Sequence, residues 1–461
     1  MRSRPDTPRR PLYPLLRLGL FMVMVALSAP EPAARSLHGG GQPLDSIPEN
    51  DDIRTRWMAG LIEAPRSRAL AFSARTETNI SGRWRLQVIR RPRAFYIAVS
   101  PDIGVLYGQG SWIIKRDFET GRFVQAKVFL RNDPNIFLRL YPFGERSQLD
   151  LVLYRGVVRH GIILPIPFRR LLTASLREII EWTKDTVEWD LLSPVPGLYS
   201  DLRALAEGIR GNLGGLRFAD DGALDESGRP VLIAGGAQTG LPGLNCSGFA
   251  KWVVDGMLKP VLGTYLTVAS LKERHEEVRG SSFTEPLERI RDPFFGLDWA
   301  WNLGRAVSTA LYPSRRFRVT DNDVRVTAFA LMDRGGLEPS DGGPIYVPYP
   351  VRFETGGYRV DGLRPLLYIL AVREPGNFYI AAFNRRMGRD VALRQYFHIA
   401  LLFPYFEPTG EFRVAVFESA AETSLDAVLR RYPSDFAHLV RIPALPRFDP
   451  PALPDRAKPD P

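Results

Sequence analysis

The sequence predicts an α+β protein in which a β-rich N-terminal region precedes a region that combines a cysteine-bearing helix with further strands. Residues 84–168 contain short apolar runs separated by turns rich in glycine, asparagine and proline, a pattern typical of an antiparallel meander. The only cysteine, Cys246, stands at the start of a segment with helical spacing. Apolar segments of strand length follow between residues 366 and 418.

Composition limits the classes of protein that this chain represents. Its 461 residues suffice for two or three domains, and its apolar content of 45% is ordinary for a globular protein. The net charge is +10, but only seven of the 61 basic residues are lysine, and the sequence has no basic run or zinc-finger spacing. We therefore predict no nucleic-acid partner. A basic surface suits an anionic envelope polymer or lipid head groups.

The first 29 residues are predicted to be a signal peptide or an N-terminal anchor. Four arginines within the first ten residues precede an uncharged stretch from Leu18 to Ala29, which is short for a membrane span of roughly 20 residues. Cleavage is expected near Ala26-Leu27-Ser28 or at Pro32-Ala33-Ala34, and it would release the protein into the periplasm or cell envelope. The alternative is association with the inner membrane through residues 15–29. A single cysteine forms no internal disulfide, so cysteine usage does not identify the compartment.

Composition also suggests a division into domains. A linker rich in proline, glycine and serine is expected over 30–50, and a disordered tail over 446–461. Between them we predict a β-rich N-terminal domain over 51–195 and a second domain over 196–445. The second domain is expected to carry an insertion at about 260–345.

Individual elements follow from the same patterns. In the N-terminal domain we predict a hairpin over 111–130, strands over 136–141 and 148–154, and a helix over 171–182. In the second domain we predict a short helix that Ser200-Asp201 caps and that ends near residues 208–211, a cysteine helix that Pro260 ends, and four strands. These strands are expected at 366–372, 378–383, 398–403 and 412–418.

The surroundings of Cys246 predict a reactive thiol. Asn245 is a favourable N-cap, and Phe249, Trp252, Val253 and Met257 recur at helical spacing, so Cys246 is expected in the first turn of a half-buried helix. The helix dipole there favours the thiolate. The backbone N–H groups of Ser247 and Gly248 would be donors to an oxyanion. The alternative is an inert, buried cysteine.

A catalytic cysteine needs a base and a group that orients the base. Of the five histidines, His398 is the best candidate, because it opens an apolar strand downstream of the cysteine. The others are assigned to the linker (His38), the N-terminal domain (His160), a charged helical stretch (His275) and a tail segment after the last strand (His438). Glu418 ends the next strand, and antiparallel pairing would bring it to the imidazole. The alternative for Glu418 is a solvent-facing carboxylate.

These residues resemble the motifs of NlpC-type cell-wall cysteine peptidases. Asn245-Cys246-Ser247-Gly248-Phe249 resembles their Asp-Cys-Ser-Gly-Phe/Leu signature, Gly235-Gly236 their upstream glycine pair, and His398-Ile399-Ala400-Leu401 their His-Val-Gly-Ile strand. The resemblance covers residues 200–440 and implies a papain-like fold. It implies that Cys246 is the nucleophile, His398 the base and Glu418 the orienting residue. It further implies cleavage of peptide or amide bonds in peptidoglycan stem peptides or another envelope peptide.

The sequence departs from this family at several points. Asn245 replaces an aspartate, Leu232-Ile233-Ala234 replaces a segment that often holds a tyrosine, and about 150 residues separate Cys246 from His398. Two other classes of function stay open: a non-catalytic envelope binding or scaffold protein with the same fold, and an acyl or amide transferase. The oligomeric state is not predicted.

No cofactor or metal is expected. One cysteine and five scattered histidines do not suit a transition-metal site, and His275-Glu276 lacks the second histidine of a zinc-protease motif. Four acids within the expected insertion are interpreted as turn residues rather than cation ligands: Asp292, Asp298, Asp321 and Asp323.

Overall fold

The computed structural model describes residues 44–276, 292–326, 329–332, 348–353, 356–387 and 393–453, which belong to one compact unit. The predicted signal or anchor and nearly all of the predicted linker, with His38, lie outside these residues. So do parts of the expected insertion and the last eight residues of the chain. Among the residues that are described, no helix has the length and apolar character needed to cross a membrane.

Helices and strands both contribute heavily, which confirms the predicted α+β class. The described strands are β1 (Arg75–Asn79), β2 (Gly82–Arg90), β3 (Ala94–Pro101), β4 (Trp112–Asp117), β5 (Phe123–Phe129), β6 (Ile136–Phe143), β7 (Arg146–Leu153), β8 (Gly156–Leu164), β9 (Gly222–Leu224), β10 (Pro230–Leu232), β11 (Ala330–Met332), β12 (Pro348–Pro350), β13 (Arg352–Phe353), β14 (Gly357–Arg359), β15 (Asn377–Met387), β16 (Leu393–Phe406), β17 (Phe412–Glu418), β18 (Ala421–Ser424) and β19 (Phe436–Pro443). The described α-helices are Asp51–Arg56, Arg66–Leu70, Phe168–Thr173, Leu176–Thr183, Ser200–Asn212, Cys246–Leu262, Val268–Leu271, Phe295–Leu311, Leu363–Arg373 and Leu425–Arg431.

The first large sheet is antiparallel and contains the strands predicted in the N-terminal region. Strands β1 to β8 pair in chain order, and β11 then pairs with β8 and β12 with β11. One face of the sheet packs into the main core because apolar residues alternate along each strand, as with Phe95, Ile97 and Val99 in β3. The sheet recruits β11 and β12 from the second half of the chain, so the predicted boundary at 195 is not a boundary of this sheet.

The second large sheet is also antiparallel, in the order β13-β14-β19-β15-β16-β17-β18. Two long helices pack on it and on each other. One is Cys246–Leu262, which we call the cysteine helix, and the other is Phe295–Leu311, which we call the tryptophan helix. The indole Nε1 of Trp299 donates to the backbone oxygen of Ser247 at 2.9 Å. Part of the expected insertion therefore supports the first turn of the cysteine helix directly.

The two sheets share one hydrophobic core. Polar contacts also connect them: the guanidinium of Arg131, just after β5, donates to the carbonyl oxygens of Leu192 and Gly410 at 2.7 and 2.8 Å. The hydroxyl of Tyr368 donates to the carbonyl of Leu191 at 2.9 Å. Leu191 and Leu192 belong to a 3-10 helix and Gly410 to the turn between β16 and β17, so these contacts give a partner to backbone carbonyls outside the sheets.

Four element predictions are wrong in detail. The apolar run at 366–372 is part of the helix Leu363–Arg373, because a short run buried on all sides does not distinguish a strand from a helix. The helix predicted over 171–182 is two helices, and Ser175 caps the second by accepting from Glu178 N–H. The cysteine helix continues past Pro260 and ends before Gly263, which adopts the left-handed conformation at φ 72°. His438 lies inside β19 rather than in a tail.

Candidate active site

Cys246 is the first residue of the cysteine helix, as its N-cap predicted. The Asn245 side-chain oxygen accepts from Gly248 N–H at 2.8 Å, and the Asn245 backbone oxygen accepts from Phe249 N–H at 2.8 Å. The side-chain cap satisfies one of the donors that a helix leaves open at its start, and the backbone oxygen of Asn245 accepts the first regular hydrogen bond of the helix. The thiol is partly buried, and the Ser247 hydroxyl lies 4.0 Å from its sulfur.

Close packing explains the glycine of the Asn-Cys-Ser-Gly segment. The first turn of the cysteine helix lies against β9, where the Gly222 carbonyl oxygen accepts from Asn245 N–H at 3.0 Å. A Cβ atom at Gly248 would lie 2.0 Å from that same oxygen. Only glycine therefore lets the helix start close enough to the β9–β10 hairpin to keep the Asn245 hydrogen bond.

His398 lies within β16, five residues after the strand begins, not at its start. A β-bulge immediately precedes it: Phe383 pairs with His398, but Asn384 pairs with Tyr396, so Phe397 has no opposite residue. An extra residue of this kind changes the direction of the neighbouring side chains. The imidazole packs against the rings of Phe383 and Tyr432, with centroid distances of 5.9 and 6.0 Å, and those two rings also contact each other at 5.0 Å.

Glu418 ends β17, the strand next to β16. Leu401 pairs with Phe417, which places His398 and Glu418 on the same face of the sheet in a diagonal relationship. The imidazole Nε2 lies 2.6 Å from Glu418 Oε2. Ser419 and Ala420 then make a two-residue turn to β18 with φ of 48° and 65°, conformations that non-glycine residues adopt rarely.

Arg431 completes the arrangement, and sequence reasoning missed it. It is the last residue of the short helix Leu425–Arg431, and its Nη1 lies 2.5 Å from Glu418 Oε1. The two oxygens of Glu418 thus have different partners, an imidazole and a guanidinium. The sequence carries no clear signal for this contact, because Arg430 is the same residue type at the adjacent position.

Electrostatics favours a thiolate beside an imidazolium. Burial raises the pKa of the Cys246 thiol. His398, the Ile399 backbone N–H and Ser247 together lower it by more than burial raises it, so the pKa lies below its ordinary value. Burial lowers the pKa of His398, but Cys246 and Glu418 outweigh burial and raise that pKa to about 9. Burial also raises the pKa of Glu418, yet His398 and Arg431 bring it below its ordinary value.

The structure shows how the predicted oxyanion donors are used. Gly248 N–H already donates to the Asn245 side chain, so an oxyanion would have to compete with the helix cap for that donor. Ser247 is the second residue of the same helix, and it is buried. The Gly235-Gly236 pair lies in an exposed turn with φ of 126° and 92°. Gln238, which sequence reasoning did not single out, uses its amide to hold this loop to Ala223, Val231 and Gly243.

The other predicted polar residues have structural partners. His160 contacts Asp150, His275 contacts Asn302, and His438 contacts Asp323, at 2.9, 2.7 and 2.9 Å. The four acids of the expected insertion also have partners: Asp292 accepts from Phe294 N–H, Asp298 from His275 N–H, Asp321 from Arg318 N–H and Asp323 from the Trp301 indole. Within the described residues no cluster of three potential metal ligands occurs.

Comparison with known proteins bears on the first sheet and not on this site. The model of a family described as a domain of unknown function (DUF8515) matches residues 43–191. That range contains β1 to β8, whereas Cys246, His398 and Glu418 all lie beyond it. No curated protein matches the chain, and no solved structure matches it either.

Proposed function

We propose that this protein is a cysteine hydrolase that cleaves peptide or amide bonds, with Cys246 as nucleophile, His398 as base and Glu418 as orienting residue. The observation that carries the proposal is a series of two contacts. The Cys246 thiol contacts the His398 imidazole, and Nε2 of that imidazole lies 2.6 Å from Glu418. A sole cysteine at a helix start, with a lowered pKa and an oriented base, has the arrangement that thiol nucleophiles require.

The proposed reaction begins with proton transfer from the thiol to His398. Because Nε2 faces Glu418, Nδ1 is the ring nitrogen available to the sulfur. The thiolate attacks the amide carbonyl, and the Ser247 N–H at the helix start stabilises the oxyanion. His398 then protonates the leaving amine, and a thioester remains. Water, deprotonated by His398, attacks the thioester, so one amide and one water become a carboxylic acid and an amine.

The proposed fold and substrate rest on the motif resemblance together with the site. The order of a helix-borne cysteine, a strand-borne histidine and an acid on the next strand supports a papain-like arrangement, with both helices packed on the second sheet. The N-terminal segment supports export, and peptidoglycan stem peptides are the proposed substrate.

Digestion of muropeptides by the full-length protein, with products identified by mass, tests this proposal. We expect defined peptide or amide cleavage by the parent protein and none by Cys246→Ser or His398→Ala. Cleavage that persists in Cys246→Ser would contradict the mechanism. An added amine acceptor distinguishes a transferase from a hydrolase, because a transferase would give an acceptor-linked product in place of the free acid.

Alkylation by iodoacetamide measures the reactivity of the Cys246 thiol without a substrate. Since Cys246 is the only cysteine, the mass added to the protein reports this thiol alone. We expect rapid alkylation near neutral pH that slows in His398→Ala, as the thiolate loses its partner. A thiol that stays inert in the folded protein, with no cleavage of muropeptides, would favour a scaffold function.

A further inference from the structure

A cavity of about 900 Å³ lies on the face of the first sheet that points away from the main core. Its floor is formed by four apolar side chains from β4 to β7: Ile113, Phe129, Phe137 and Val152. We call this site the outer-face pocket. Its volume lies towards the upper end of the range for small-molecule sites. None of the residues that line it belongs to the candidate active site.

The wall of the outer-face pocket is basic. Five of its lining residues are cationic, and no residue of the lining is an aspartate or a glutamate. The cationic residues are Arg91, Arg93, Lys115, Lys127 and Arg155. Concentrated charge of one sign around a concave apolar surface raises the local concentration of ligands of opposite sign.

The two lysines, Lys115 and Lys127, lie beside aromatic rings of the pocket. The Lys127 ammonium lies 4.4 Å from the ring centroid of Phe137, and the Lys115 ammonium lies 5.9 Å from that of Tyr96. Lys115 is only 6% exposed, so its charge is held among the side chains rather than extended into solvent. A ligand on this surface therefore meets aromatic rings and ammonium groups together.

We propose that the outer-face pocket binds a single-chain lipid anion, with its alkyl chain on the apolar floor and its anionic head group against the lysines and arginines. Phe129 lies 5.2 Å from Tyr107 and 5.8 Å from Phe137 between ring centroids, which makes a continuous aromatic row for the chain. The pocket lies entirely within residues 43–191, the range that the family model matches. The assignment is thus independent of the proposed hydrolase activity.

Titration calorimetry of the full-length protein with octyl phosphate and decyl phosphate, both below their micelle concentrations, tests the assignment. Each methylene buried on the floor should tighten binding by roughly threefold to fourfold, so decyl phosphate should bind about tenfold more tightly than octyl phosphate. Inorganic phosphate, decyl maltoside and decyltrimethylammonium should each bind far more weakly, because each lacks the chain or the negative charge. Equal binding of the neutral or cationic amphiphile would overturn the proposal.

Substitution of the lysine at the floor locates the site. Lys127→Gln should weaken decyl phosphate binding about tenfold, which is the loss expected for one charge-assisted contact. Lys259→Gln is the matched control: Lys259 also lies over a ring, 4.6 Å from the centroid of Tyr265, but at the far end of the cysteine helix. It should bind decyl phosphate as the parent does. Equal weakening in both folded variants would show that binding depends on overall charge and not on this pocket.

Discussion

At the scale of single residues, the candidate site depends on side chains whose charges stabilise one another. The Cys246 thiolate favours a protonated His398, and Glu418 favours it from the opposite ring nitrogen. Arg431 holds the second oxygen of Glu418, so the carboxylate has little freedom to rotate away from the imidazole. Both His398 and Glu418 are largely buried, which strengthens these interactions relative to water.

Glu418→Gln should raise the pKa of the thiol, because loss of the carboxylate charge makes the neighbouring imidazolium less stable. Alkylation of Cys246 by iodoacetamide at pH 6 should slow by about tenfold as the thiolate fraction falls. Glu422→Gln is the matched control: it removes the same charge on the next strand, from a residue that pairs with Arg210. An alkylation rate in Glu418→Gln equal to that of Glu422→Gln would exclude a role of Glu418 in the site.

At the scale of elements, three backbone features place the site residues. The β-bulge at Phe397 sets the direction of His398, the two-residue turn at Ser419-Ala420 ends β17 directly after Glu418, and the close contact of Gly248 with β9 seats the cysteine helix. The left-handed conformations of Ser419 and Ala420 are costly for non-glycine residues and persist because the surrounding structure holds them. The position of the side chains is therefore a property of the packed elements.

Gly248→Ala should destabilise the protein by at least about 2 kcal/mol and slow alkylation of Cys246, because the new methyl group would meet the Gly222 carbonyl oxygen. Urea unfolding and iodoacetamide labelling measure the two effects. Gly211→Ala is the control: Gly211 is exposed within the helix Ser200–Asn212 and has open space where a Cβ would lie. It should leave stability unchanged or raise it by up to about 1 kcal/mol. Equal stability of both variants would mean that β9 does not constrain the helix.

At the scale of the whole molecule, the residues of the candidate site lie on the cysteine helix and the second sheet, and both belong to the core that the two sheets share. The first sheet takes strands from both halves of the chain, and the tryptophan helix supports the cysteine helix through the Ser247 carbonyl. Protonation at the site is therefore linked to the stability of the whole fold.

The stability of the parent protein and of Cys246→Ala should depend differently on pH. His398 has an ordinary pKa of 6.5 and a folded pKa of about 9, so its own contribution to stability is complete below pH 6.5 and is lost as the pH rises towards 9. The lowered pKa of Cys246 contributes in the opposite direction, because its stabilisation grows as the pH rises to its ordinary value. In the thiolate–imidazolium pair the two contributions therefore oppose each other as the pH rises above 6.5.

Cys246→Ala removes the compensating thiolate and leaves His398 beside Glu418. The free energy of unfolding of this variant should therefore fall relative to the parent as the pH rises above 6.5, by up to about 1.4 kcal/mol per pH unit until His398 titrates. Urea unfolding of both proteins at each pH measures the difference, and the contributions of other titrating groups cancel in it. Parallel stability curves would show that Cys246 and His398 are not an ion pair.

The sequence alone determined the features that depend on neighbours in the chain. The meander of the first sheet, the N-cap at Asn245 and the strands that carry His398 and Glu418 follow from local periodicity and turn chemistry. The pairing of consecutive strands also made contact between His398 and Glu418 predictable, since β16 and β17 are joined by a short turn. Local signals were sufficient there because the partners are close in sequence.

Only the tertiary structure decided the features that depend on distant contacts. The apolar run within Leu363–Arg373 is buried, so its periodicity did not distinguish a helix from a strand, and β11 joins the first sheet from the far half of the chain. His438 belongs to β19, an interior strand of the second sheet between β14 and β15. Arg431 and Gly248 gain their roles from a single partner atom elsewhere in the fold. Tertiary packing determines which of several local conformations of similar free energy forms, and the local sequence pattern does not contain that information.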